Sequence, residues 1–346
     1  MLYVTTRDKK DAYTVSRVLL NDRGPDGGLF VPFQLPTYSQ SEIEGLKEKS
    51  FGQRVADILN LFFSARLTGW DVDFSIGRTP VKLVQMNYRI VLAETWHNQQ
   101  WEFSWVVSQL MSRIRGNAAA EKPSAWTQVA VRIAVLFGIF GELIKSNKLD
   151  YEHPVDIAVP SGDFALPLAA WYARKIGLPI GTIICSCNEN GAPWDLLNYG
   201  QVHTDTVAVK TDLPEADFAV PPHMESLIFN ALGYDEAVRF CEACHLGKTY
   251  KPDSHGLLQL RDGMFAAVVS PKRVAEIIPR VDRSSSYLMD PYAALAYGGL
   301  QDYRAKTGES RTTLIVSEKS PSCYADMMTK VLGLSYREFT ERVNKG

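Results

Sequence analysis

One stretch near the middle of the chain limits the fold more than any other. Asp156 to Pro160 is a short apolar run that breaks into Ser161-Gly162-Asp163. Leu166 to Ile176 then carries helical periodicity and closes at Gly177, and Ile180 to Cys185 is a second apolar run. Strand, turn, helix and strand in that order, with strands apolar on both faces, predict a mainly parallel sheet covered by helices, an α/β fold.

The flanking sequence supplies more elements. Turn formers from Asn21 to Gly28 precede a short strand, Leu29 to Val31, ended by Pro32. Ser39 to Glu48 reads as a surface helix capped by Ser41 with Glu44 as its capping-box partner. Phe51 to Ala65 is amphipathic, and Val81–Met86 with Arg89–Ala93 predicts a hairpin turning at Asn87-Tyr88. Glu102–Ile114 and Trp126–Ser146 read as helices joined by small and polar residues from Gly116 to Ser124. These landmarks predict an N-terminal α+β segment, residues 1–81, and an α/β core, residues 82–346.

Composition narrows the classes of function. The 346 residues are 46% hydrophobic with a formal net charge of -2 and interspersed signs, so no basic stripe offers itself to nucleic acid. The longest apolar run, Val129 to Ile144, is interrupted by Arg132 and Glu142 and is shorter than a membrane span of roughly 20 residues. It reads as a buried helix, and no membrane association is expected. Five cysteines without an export signal predict reduced thiols in a cytoplasmic protein.

Several segments carry a more specific pattern. Val159-Pro160-Ser161-Gly162-Asp163-Phe164 leads into an alanine-rich helix, Lys175 to Ile180 and then Asn188-Glu189-Asn190. Upstream stand Thr6-Arg7 and Asp26 to Pro32; downstream stand Leu288 to Tyr297 and Leu314 to Ser317 with Pro321. In this order they resemble the signatures of threonine synthase, a fold-type II enzyme that uses pyridoxal phosphate. The resemblance implies that Ser161, Gly162, Asp163 and Phe164 correspond to the loop holding the cofactor phosphate. It also implies that Asn188, Ser317 and Glu318 belong to a residual ligand pocket.

The departures from that pattern imply a different function. The segment matching the family's lysine motif is His97-Asn98-Gln99-Gln100-Trp101-Glu102-Phe103-Ser104, so Ser104 stands at the lysine that would bind the cofactor. A serine hydroxyl cannot form an imine. The family's small mobile domain has only residues 116–124 in its place. Asp163 replaces an asparagine, Ala165 a glycine, Glu318 a threonine and Cys323 a lysine. No cofactor is therefore expected, and pyridoxal phosphate returns only if another lysine serves. The expected function is that of a pseudoenzyme that binds a protein partner or a small amino-acid-like metabolite.

Two alternatives stand beside it. His97, Glu102 and Ser104 could act as acid, base or nucleophile in an enzyme of altered chemistry, which requires an open pocket near Ser104 and Ser161. Alternatively, the chain could be a structural subunit or homo-oligomer. No metal site is expected; the rival reading joins Cys185, Cys187, Cys241 and Cys244 around zinc, against a plainer one in which Cys185 and Cys187 are small core residues at a strand end and Cys241 and Cys244 sit on one helix face. The aromatics Trp96, Trp101, Phe103, Trp105 and Trp126 read as core, the alternative being that Trp101 or Trp105 fills a vacated cofactor space or forms a face for a partner.

Overall fold

The computed structural model describes residues 1–78, 81–96, 102–115, 123–149 and 152–344. The N-terminal segment forms β1 (Tyr3–Thr5), β2 (Asp8–Tyr13), α1 (Val15–Leu20), β3 (Phe30–Pro32), α2 (Gln40–Glu44), α3 (Phe51–Phe63) and α4 (Gly69–Ile76). Its three strands make a small antiparallel sheet in the order β2-β1-β3. The cap of α2 is Ser39 with Glu42, two residues before the expected Ser41 and Glu44. Both pairs have capping-box spacing, and the N-cap requires extended backbone, which Ser39 has.

After β4 (Lys82–Asn87) and β5 (Ile90–Glu94) come α5 (Phe103–Arg115), α6 (Ala125–Lys145), β6 (Val155–Pro160), α7 (Ala165–Ile176) and β7 (Ile180–Cys187). The chain continues through α8 (Ala192–Tyr199), β8 (Val202–His203), α9 (Met224–Leu232), α10 (Tyr234–Leu246), β9 (Thr249–Tyr250), α11 (Ser254–Arg261) and β10 (Met264–Val268). It ends with α12 (Pro271–Ser285), α13 (Pro291–Thr307), β11 (Thr313–Ser317), α14 (Ala325–Leu332) and α15 (Tyr336–Val343).

Six strands form the central sheet in the order β10-β7-β6-β11-β5-β4. All neighbours are parallel except β4, which joins β5 as the expected hairpin at one edge. Alternation along each strand sends side chains to two layers. Val155, Ile157, Val159, Leu314 and Val316 meet the core shared with α6, α7 and the N-terminal segment. Ala158, Ile184 and Ile315 meet α12, α13 and the C-terminal helices. The first core runs without a break from Tyr3, Phe30 and Phe62 into Trp126 and Tyr172, so the N-terminal segment packs as part of the same body.

Helix α6 is 21 residues long, which meets the length of a membrane span that the apolar run alone had fallen short of. It lies in the centre of the first core, and 78% of its most apolar window is buried inside the protein.

Candidate functional site

The carboxyl ends of the neighbouring strands β6, β11 and β5 open into a cavity of about 340 Å³. A pocket at strand carboxyl ends is where open α/β sheets receive ligands. After β6, Pro160, Ser161, Gly162 and Asp163 line it. After β11 come Glu318 and Lys319, and after β5 come Glu102, Phe103 and Ser104. Helix α6 adds Gln128 and Arg132, and the far wall brings Glu215, Phe218, Asp290, Tyr292 and Tyr324.

The turn after β6 has an unusual backbone. Gly162 sits at φ 48° and Phe164 at φ 72°, both left-handed. Glycine takes that region freely, whereas Phe164 is held there with its ring 1% exposed in the core. Phe164 is therefore a packing residue and does not line the cavity. Asp163 Oδ1 accepts a hydrogen bond from the Ala165 amide at 2.9 Å, so a side-chain carboxylate occupies the amino end of α7. Ser161, 2% exposed, keeps a buried hydroxyl with no hydrogen-bond partner.

On the opposite side Glu318 is locked to Arg132. Nε meets Oε1 and Nη2 meets Oε2, each at 2.7 Å, in a bidentate pair. The guanidinium also lies 5.1 Å from the Phe103 ring centroid. Burial works against the Arg132 charge, but Glu318 and then Asp163 outweigh it and hold its pKa above the usual range. Lys319 behaves similarly: burial opposes its ammonium, and pairing with Glu215 more than compensates. Glu102 lies 3.9 Å from the same ammonium and accepts a 3.1 Å hydrogen bond from Ser104 Oγ.

Asp290 is the other charged group in the wall. It caps α13 through the Tyr292 and Ala293 amides and accepts from Ser317 Oγ at 2.6 Å. Burial raises its carboxyl to about 6 against the opposing pull of those hydrogen bonds. A folded pKa above the roughly 4 of an unfolded aspartate means that the native state binds the proton more tightly. The resulting stabilisation is complete below pH ~4 and is lost as pH rises through about 6. Between these limits Asp290 is expected to remove on the order of 3 kcal/mol of unfolding free energy. Denaturant titrations across this pH range should therefore show a shallower decline in Asp290→Asn than in the parent; identical slopes would disprove the assignment.

The structure thus brings together Ser161, Gly162, Asp163, Glu318, Glu102 and Ser104. Ser317 is buried behind them, held by Asp290 and by Trp96 Nε1 at 2.9 Å. Asn188 does not face the cavity. Its amide is consumed by Asp217, Thr211 and Asn190, which fixes the loop carrying Glu215 and Phe218. His97 and Trp101 lie outside the described residues. Phe103, and neither Trp105 nor Trp126, reaches the cavity; Trp126 packs on Tyr3, Phe62 and Tyr172.

The cysteines do not assemble. Cys185 and Cys187 are buried in β7, whereas Cys241 and Cys244 lie on α10. Burial pushes the half-buried Cys241 thiol up to about 12, and Cys244 is exposed. Among the described residues no group of three or more His, Cys, Asp or Glu is placed to hold a metal ion.

Several lining residues escaped the sequence reading. Arg132 was visible only as a charge interrupting an apolar helix. Asp290 lay in a matched segment without an assigned role. Glu215, Lys319, Phe218, Tyr292 and Tyr324 carried no pattern of their own.

A parallel α/β sheet with a turn-and-helix pocket at its strand ends defines the class of fold, and comparison with known proteins defines it further. Residues 2–78 match the family model described as threonine synthase N terminus. Mouse threonine synthase-like 1 is 24% identical over 212 residues, which are 60% of this chain and 28% of that protein. Yeast threonine synthase is 26% identical over 245 residues, 66% of this chain and 47% of its own length. The chain thus spans from about a quarter to a half of these relatives. Among solved structures, pyridoxal-phosphate-bound threonine synthase from Brucella melitensis superimposes with a TM-score of 0.83 at 18% identity, covering 96% of this chain and 92% of that one. Threonine synthase from Escherichia coli superimposes at 0.71 and 16% identity, covering 99% and 94%. The N-terminal segment thus matches the threonine synthase family model, and the whole chain is similar in fold to the threonine synthases.

Proposed function

We propose that this threonine synthase-like chain has given up pyridoxal phosphate chemistry and uses the remaining cavity to bind a small metabolite. The observation that carries the reading is the bidentate Arg132–Glu318 pair, which commits both charged groups of that wall to each other. Three further features support it. Asp163 already supplies the anion at the amino end of α7, where a cofactor phosphate would need free amides. Ser104 offers no amine. Lys319, the lysine lining the cavity, is an ion-paired ammonium, and imine formation needs the free base. The residues present therefore do not fit the cofactor.

The test is chemical. Incubation with pyridoxal phosphate followed by borohydride and peptide mass spectrometry is expected to leave Lys319 unlabelled, with only trace modification of surface lysines. Stoichiometric labelling of Lys319 or any other single lysine would overturn the proposal.

One observation favours the rival reading of an enzyme with altered chemistry: among the described residues the cavity is open between Ser104 and Ser161, with no tryptophan in its lining. Against it, Ser104 is solvent-exposed and bonded to a carboxylate that is itself 42% exposed, an arrangement that does not activate a hydroxyl.

A further inference from the structure

The cavity has a charge and a surface chemistry that select for one kind of ligand. Five carboxylates line it, Glu102, Asp163, Glu215, Asp290 and Glu318, against the two cations Arg132 and Lys319. The cations are already engaged, Arg132 by Glu318 and Lys319 by Glu215. Among the described residues Asp163 and Asp290 form no ion pair within 4 Å, and Glu102 has only the 3.9 Å approach of Lys319. An incoming anion would meet this excess of negative charge in a partly enclosed site, where repulsion is screened far less than in water.

The uncharged lining points the same way. Phe103, Phe218, Tyr292 and Tyr324 present aromatic surface, with the two tyrosine rings 5.5 Å apart. Ring faces attract cations, as the Arg132 guanidinium over Phe103 already shows inside this cavity. Ser161 Oγ and Tyr324 Oη are buried without hydrogen-bond partners. Each such group costs free energy until something meets it. An ammonium carries three N–H donors and no acceptor, so hydroxyl and carboxylate oxygens together can satisfy it.

We infer that the cavity is a binding site for a small organic cation, an alkylamine whose ammonium is received by Ser161 and Asp163 and whose stem lies against the Phe103, Tyr292 and Tyr324 rings. This rests on the proposed function above and names the chemical class of the metabolite. The ligand class has the opposite charge to a phosphorylated cofactor.

Isothermal titration calorimetry on the full chain tests it with three probes: n-butylamine, putrescine and inorganic phosphate. Saturable one-to-one binding of at least one amine, with no heat from phosphate, is expected. Asp163→Asn should weaken amine binding about tenfold, because asparagine still caps the helix but removes the charge. Glu341→Gln, on the exposed face of α15, should leave it unchanged. Circular dichroism melts confirm that both variants fold. Failure of both amines to bind, binding of phosphate in their place, or an Asp163→Asn variant that binds amine as well as the parent would each overturn the inference. The outcome separates from that of the borohydride experiment. An unlabelled protein that also ignores amines loses only the ligand class, whereas a labelled lysine removes the functional reading itself.

Discussion

Replacing Glu318 by leucine is expected to lower the unfolding free energy by about 2–4 kcal/mol, and adding Arg132→Met to the same chain is expected to recover most of that loss. The single change leaves a guanidinium that is 14% exposed without its bidentate partner. Its other contacts are the Gln128 carbonyl at 3.2 Å, the Phe103 ring at 5.1 Å and the more distant charge of Asp163. Removing one member of a buried pair strands a charge whose desolvation is no longer compensated, whereas removing both leaves well-packed apolar groups. The range lies below the roughly 3–5 kcal/mol of fully buried pairs because Glu318 remains 23% exposed. Urea unfolding of the two single variants and the double variant gives the coupling directly. Additive losses would mean that the pair does not act as a unit, and the observation carrying the proposed function would lose its force.

The second large effect is expected far from the cavity. Arg54 on α3 is completely buried, with Nε donating to the Leu46 carbonyl at 2.6 Å and Nη1 to the Gly138 carbonyl and to Glu142 Oε1 at 3.1 and 2.6 Å. Helix α6 accommodates it at Gly141, where a Cβ would lie 2.2 Å from Arg54 Nε. Arg54→Ala should cost about 3–5 kcal/mol, since it opens a cavity and strips the Leu46 carbonyl of its donor. Arg54→Met should cost less, because it loses the same polar contacts but keeps most of the buried volume. Glu142, 37% exposed, can turn to solvent in either variant. Denaturant melts that ranked methionine below alanine would show that polar contacts, rather than filled volume, hold α3 against α6.

These two arginines mark the boundary of what a one-dimensional reading reaches. The βαβ unit around Ser161, the edge hairpin and the amphipathic helix α3 were all legible, because periodicity and turn chemistry act over a few residues. The N-terminal strands β1 and β2 were not, since Asp8 to Tyr13 has no clean alternation and is ordered by pairing with β1. The α2 cap slipped by two residues because two serines and two glutamates offered the same local spacing.

Of the residues in the matched segments, Ser161 to Asp163, Glu318 and Ser104 line one cavity. Two others from the same reading lie elsewhere: the Asn188 amide organises a loop, and the Phe164 ring fills the core. The matched segments were silent on Arg132, which looked like an interruption in an apolar helix. The sequence by itself determined the parallel α/β class, a serine rather than an amine at residue 104 and the charges brought by Asp163 and Glu318, because these follow from local pattern and residue chemistry. Only the tertiary structure decided that Glu318, 186 residues from Arg132 along the chain, is paired with it, and that Glu215, Asp290 and two tyrosines close the same cavity. A parallel sheet gathers the carboxyl ends of strands distant in sequence, and the charge of the space they enclose is a property of that gathering alone.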